Sequence, residues 1–106
     1  MTSFTLDTLA DIVRARSSGE AKASYTKSLL DKGPVGTAKK FGEEAVELVI
    51  AAVQGEAKPI IGEAADVLYH LLVVLESVGV PLVDVLSELQ RRTAQTGHEE
   101  KASRGK

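Results

Sequence analysis

No cysteine occurs in the 106 residues. That removes disulfides, thiolate metal sites and cysteine nucleophiles together, and it is compatible with a reducing cytoplasm. Tryptophan is also absent and aromatics make up only 4%, so a core has to be built from Leu, Val, Ile and Ala. Neither sign of charge dominates. Thirteen basic against 15 acidic residues leave a formal charge of −2, which argues against a nucleic-acid partner, because such domains are normally strongly basic. Long apolar runs are missing as well. The most apolar stretch, residues 67–83, is interrupted by His70, Glu76 and Pro81 and falls short of the roughly 20 residues of a membrane span. Residues 1–16 carry Asp7 and Asp11 and lack a basic segment followed by an apolar run, so no secretory signal is expected there. The expectation is a cytoplasmic chain with no membrane or nucleic-acid partner.

What remains is aliphatic, charged and helical in its spacing. The length suits one domain, expected over residues 1–106, large enough to bury roughly two thirds of the surface of its unfolded chain. Leu6, Leu9, Ile12 and Val13 recur at spacings of three and four, which predicts a helix over about residues 5–16 with Thr5 as N-cap. Residues 21–31 read as a short helix or an ordered loop closed by Lys32-Gly33-Pro34. A long helix over about 35–54 has Ala38, Phe41, Ala45, Leu48, Val49 and Ala52 as its apolar stripe and Gly55 as its stop. Pro59 suits the first turn of the next helix, which runs to 77 or 78 with Ile61, Ala65, Leu68, Leu72 and Leu75 inward and ends at Gly79. A last helix covers about 81–93, and residues 97–106 form a polar tail. Nothing alternates as a strand does. The fold class is therefore all-α: a bundle of four to five helices around a central antiparallel pair. Val67, Leu71, Val73 and Val74 make the fourth helix apolar on more than one side, so a homodimer is expected to complete the bundle.

Four acids stand out on the central pair. Glu44 and Glu47 are three residues apart, as are Glu63 and Asp66, so each pair projects from one helix face. Glu47 lies eight residues before Gly55 and Glu63 eight after it; Glu44 and Asp66 lie eleven before and eleven after. At about 1.5 Å per residue, an antiparallel hairpin brings Glu47 level with Glu63 and Glu44 level with Asp66. Carboxylates converging between apolar neighbours repel unless something positive joins them. An oxygen-only donor set favours a hard cation, Mg²⁺ or Mn²⁺. A single such pair is ordinary on a solvated helix face, with Lys39 and Lys40 as partners of Glu43 and Glu44. Two pairs in matched register point to a metal site.

The same residues carry a resemblance. Glu43-Glu44-Ala45-Val46-Glu47 followed by Glu63-Ala64-Ala65-Asp66 is similar to the motif pair of the all-α nucleoside-triphosphate pyrophosphatase superfamily, the MazG-like fold. Three further segments resemble one of its families, the phosphoribosyl-ATP pyrophosphohydrolases: Ser24-Tyr25-Thr26, Asp66-Val67-Leu68-Tyr69-His70, and residues 99–104, Glu-Glu-Lys-Ala-Ser-Arg. The resemblance implies Mg²⁺-dependent hydrolysis of phosphoribosyl-ATP to phosphoribosyl-AMP and pyrophosphate, the second step of histidine biosynthesis. It also implies Glu44, Glu47, Glu63 and Asp66 as metal ligands, with Glu43, Glu44 and Glu47 in the catalytic set. Glu43 points about 100° away from Glu44 around the helix, which leaves it as a supporting group or a general base.

Other residues keep two readings each. Lys40 is a phosphate contact or a solvated helix lysine, and for Lys39 the solvated reading is the stronger. His70, one turn beyond Asp66, is a hydrogen-bonded supporting group rather than a ligand among carboxylates. Tyr25 and the Ser24 and Thr26 hydroxyls bind the phosphoribosyl or adenine part, or simply form a turn. The tail has the composition of a solvated segment, whereas the resemblance makes it a cover over bound substrate with Lys101 and Arg104 on phosphates. Two other functions stay open: a house-cleaning nucleoside-triphosphate pyrophosphatase of the same fold, and a helical dimerisation module without activity. Setting the four proposed ligands aside leaves 11 acidic against 13 basic residues, a balance suited to a phosphate-rich substrate.

Overall fold

Caps and glycine stops set the helix ends. The computed structural model describes residues 3–19 and 24–94, and within them the chain forms five helices and no strand: α1 (Leu6–Ser17), α2 (Tyr25–Leu30), α3 (Gly33–Gln54), α4 (Ala57–Val78) and α5 (Leu82–Thr93). Thr5 caps α1 by accepting from the Thr8 amide at 3.1 Å, and Ser24 caps α2 by accepting from the Lys27 amide at 3.0 Å. α2 is shorter than the expected 21–31, and residues 20–23 lie outside the described residues. Gly55 and Gly79 close α3 and α4 with φ of 83° and 74°, a left-handed conformation that glycine adopts without a Cβ penalty.

α3 and α4 are 22 residues each, about 33 Å long, and only Gly55 and Glu56 separate them. So short a link makes them antiparallel neighbours, and theirs is the most extensive helix interface among the described residues. α5 leaves α4 at 115°. The core lies at one end of this hairpin. Val13 of α1, Leu29 of α2, Leu72 and Val73 of α4 and Leu82 of α5 are buried together, with Leu9, Leu30, Tyr69, Leu75 and Leu86 packed around them. Each fully buried aliphatic side chain contributes about 1.5–3 kcal/mol relative to exposure. Two buried threonines are satisfied rather than stranded: Thr26 Oγ1 bonds the Tyr69 hydroxyl, and Thr37 Oγ1 bonds Ser77 Oγ at 2.9 Å and donates to the Pro34 carbonyl.

The apolar stripes differ from those that spacing predicts. On α3 the inward residues are Thr37, Phe41, Glu44, Ala45, Leu48 and Ala51, whereas Ala38, Val49 and Ala52 are exposed. On α4, Leu72 and Leu75 face in, but Ile61, Ala65 and Leu68 do not. The reason is geometric: α1, α2 and α5 reach only the half of the hairpin that holds Leu72. At the other half, Val46, Val49, Ile50 and Val53 of α3 and Ile61 and Leu68 of α4 stay uncovered, Val53 at 83% exposure. Among the described residues no single helix is long and apolar enough to cross a membrane.

Candidate active site

Glu44 is the unusual residue of α3, because it occupies an inward position of the helical repeat and is only 8% exposed. A buried carboxylate needs a partner of opposite charge. Lys40, one turn earlier, supplies it, with Nζ 3.2 Å from Glu44 Oε1 and 3.9 Å from Glu43 Oε1. Its hydrogen bond to Glu44 first, then the nearby Tyr25 and the Glu44 charge, hold the Lys40 ammonium above its ordinary pKa.

Across the hairpin Glu44 meets α4. Carboxylate oxygens of Glu44, Glu63 and Asp66 all lie within 4.8 Å of one another. Burial of Glu63, then the charge of Glu47 and the contact with Asp66, push its carboxyl above the usual carboxylate range. Three acids drawn together at the edge of a helix pair, one of them resisting ionisation, form a donor set suited to a hard cation. Oxygens on one small cation of this kind stand no more than about 4.2 Å apart, so these residues fit such an ion with little movement. Glu47 is exposed and outside the trio, although its charge acts on Glu63. Glu43 is also exposed, on the side of Lys40.

A second layer surrounds the α4 acids. His70 is buried; its Nδ1–H donates to the Asp66 carbonyl at 2.8 Å, which leaves Nε2 to accept from the Tyr25 hydroxyl at 3.5 Å. The His70 ring stands edge-on to Tyr69, and the Tyr25 and Tyr69 rings lie nearly parallel with centroids 6.3 Å apart. Tyr25 is 57% exposed and presents an open aromatic surface near Lys40. Spacing alone did not single out Thr26, Thr37 and Ser77, the hydroxyls that fix α2 and α3 against α4. Their only signal was polarity at positions where the helical repeat asks for apolar residues. Lys101 and Arg104 lie outside the described residues.

A helical hairpin that brings Glu44 of α3 against Glu63 and Asp66 of α4 defines an all-α protein with an acidic cluster able to hold a metal ion. The family is narrower than that class. Residues 6–93 match the sequence model of the family described as phosphoribosyl-ATP pyrophosphohydrolase, and the chain belongs to that family. Among its relatives, the phosphoribosyl-ATP pyrophosphatase of Methylobacterium nodulans is 57% identical over 104 residues, 98% of this chain and 97% of the relative. Phosphoribosyl-ATP pyrophosphatase 1 of Rhodopseudomonas palustris shows the same identity and coverage. That of Azorhizobium caulinodans is 57% identical over 100 residues, 94% of this chain and 92% of the relative.

Proposed function

We propose that this chain hydrolyses phosphoribosyl-ATP to phosphoribosyl-AMP and pyrophosphate, the second step of histidine biosynthesis, with Mg²⁺, or Mn²⁺ in its place, held by Glu44, Glu63 and Asp66. The observation that carries the reading is the meeting of these three carboxylates within 4.8 Å in a member of this family. A bound divalent ion neutralises phosphate charge and acidifies water. The chain's own residues do the rest. Glu47 completes the ligand set from the exposed side, where its charge already reaches Glu63. Lys40, released from Glu44 as that carboxylate turns to the cation, meets a substrate phosphate as a point charge. Glu43, beside Lys40, serves the catalytic set by holding that lysine in place. Tyr25 offers its exposed ring to the nucleoside, while His70 ties the Tyr25 hydroxyl to the backbone of Asp66. Lys101 and Arg104 of the tail supply further charge for the substrate phosphates.

A second copy of the chain covers the apolar half of the hairpin. Val46, Val49, Ile50 and Val53 form an i, i+3, i+4, i+7 stripe, and Ile61 and Leu68 continue it on α4. A continuous apolar face of this kind is the mark of an interface. The enzyme so assembled works in the cytoplasm as a single-domain homodimer.

The decisive assay incubates the chain with Mg²⁺ and either phosphoribosyl-ATP or ordinary nucleoside triphosphates and detects pyrophosphate. Release from phosphoribosyl-ATP, with Asp66→Asn and Glu44→Gln each lowering turnover by at least about 100-fold at unchanged helical circular dichroism, is the expected result. Turnover of ordinary triphosphates alone would make the chain a house-cleaning pyrophosphatase instead. Full activity in either variant would refute the ligand set.

A further inference from the structure

One face of α3 is used by neither the core nor the carboxylate trio. Lys32, Gly36, Lys39, Lys40 and Glu43 recur at the intervals that place residues on one helix face, and together they line an open recess of about 250 Å³. Gly36 makes the recess possible. A Cβ at that position would stand 2.5 Å from the Cβ of Lys32, so the close approach of these two positions calls for glycine. Lys32 and Lys39 are exposed and make no ion pair among the described residues. The recess thus sets three cations against the single carboxylate of Glu43, an excess of positive charge that favours an anion. α3 adds to this field: it has no acidic residue in its first turn and no side-chain cap, so the positive end of its dipole is unopposed.

The recess connects with the acidic site through Lys40, which lines it and also reaches Glu44 at 3.2 Å. Gly36 precedes Glu44 by eight residues, about 12 Å along the helix, and Lys40 stands midway. A chain of phosphates that begins at the trio therefore runs into the recess. The lining has no aromatic or aliphatic side chain, so it has nothing to offer a base or a ribose. It suits a compact, carbon-free polyanion, whereas the exposed ring of Tyr25 suits the nucleoside.

From this geometry we infer that Lys32 and Lys39, together with Lys40, form the subsite for the terminal β- and γ-phosphates and retain them as the leaving pyrophosphate. This rests on the hydrolysis proposed above, which it deepens by dividing the substrate between two ends of the site. Charge that develops on the leaving group then falls among three ammonium groups. The phosphate of the phosphoribosyl group is the competing occupant, and the two products separate the possibilities, because pyrophosphate carries only the first and phosphoribosyl-AMP carries the second.

The test uses the full chain in Mg²⁺ buffer with the double variant Lys32→Ala/Lys39→Ala, and measures product inhibition by inorganic pyrophosphate and by phosphoribosyl-AMP. The inhibition constant for pyrophosphate should rise at least about tenfold and that for phosphoribosyl-AMP should stay within about twofold, as expected for losing charge-assisted contacts to one product. Lys32→Arg/Lys39→Arg should restore pyrophosphate inhibition. An unchanged pyrophosphate constant overturns the subsite, and so does a rise confined to phosphoribosyl-AMP or an equal rise for both. Calorimetric titration of Mg²⁺-pyrophosphate onto both proteins needs no turnover. If it shows lysine-dependent binding while phosphoribosyl-ATP is not hydrolysed, the subsite stands and the proposed substrate falls. Equal binding to both proteins sinks the subsite even when hydrolysis is confirmed.

Discussion

The two halves of the α3–α4 hairpin are built from similar aliphatic side chains and meet opposite fates. At the half bearing Leu72 and Val73, three further helices close over the surface, and Val13, Leu29 and Leu82 complete a buried cluster. At the half bearing Val53 and Ile61, no other helix among the described residues arrives, and Ile61 is left 69% exposed. Burial is thus decided by what other elements can reach, not by the hydrophobicity of a stripe. The carboxylate trio falls between the two halves: Glu44 is midway along α3, and Glu63 and Asp66 lie on the stretch of α4 before Leu72. One side of the site adjoins the packed half and the other adjoins the exposed tip.

The sharpest way to break this contrast is to cut into the packed half. Leu72→Ala removes a side chain at the centre of the cluster, 3% exposed. It should cost about 2–5 kcal/mol of stability through lost burial and the cavity left behind, read as a fall in the urea midpoint at constant slope. That loss should be the same at every protein concentration, since it is internal to one chain.

A change at the open half should behave differently. Val49→Asp/Val53→Asp places two charges on the exposed stripe, where a single chain barely notices them. If a second copy covers that face, the variant should dissociate at least about tenfold more readily, seen by sedimentation, while its helical signal persists. The parent protein should then show a melting temperature that rises with concentration, as mass action requires of a dimer. A parent that sediments as a monomer at micromolar concentration leaves the tip uncovered and removes the dimer from the reading.

The same contrast explains what the sequence could reveal. Helix number and ends were legible because Thr5, Gly55 and Gly79 act locally. The antiparallel register that sets Glu44 beside Asp66 was legible too, because a two-residue link permits little else, whereas Glu47, expected level with Glu63, stands outside the trio. The inward stripe of α3 was not. Val49 and Ala52 have the composition and spacing of core residues, and only the reach of α1, α2 and α5 decides that they are exposed. Nor did spacing alone identify the recess. Lys39 reads as a solvated lysine and Lys32 only as part of a loop closure, until the fold sets both beside Gly36 in one recess.

The smallest expected effect tests whether charge contributes to the packed half at all. On α5, Glu88 accepts from Arg91 Nη2 at 2.7 Å and Arg92 Nε at 2.9 Å. These bonds, Arg91 foremost, lower its pKa from 4.5 to about 2. A carboxyl with a folded-state pKa below its unfolded value stabilises the fold above the unfolded pKa and loses that contribution as pH falls toward the folded one. Glu88→Gln should therefore lower the urea midpoint slightly at neutral pH, and the parent and variant should converge between pH 4.5 and about 2. The group is open to solvent, so added salt should shrink the difference. A gap that persists unchanged down to pH 2 would show that the substitution acts through packing or helix propensity, and that this half of the molecule owes its stability to the aliphatic cluster alone.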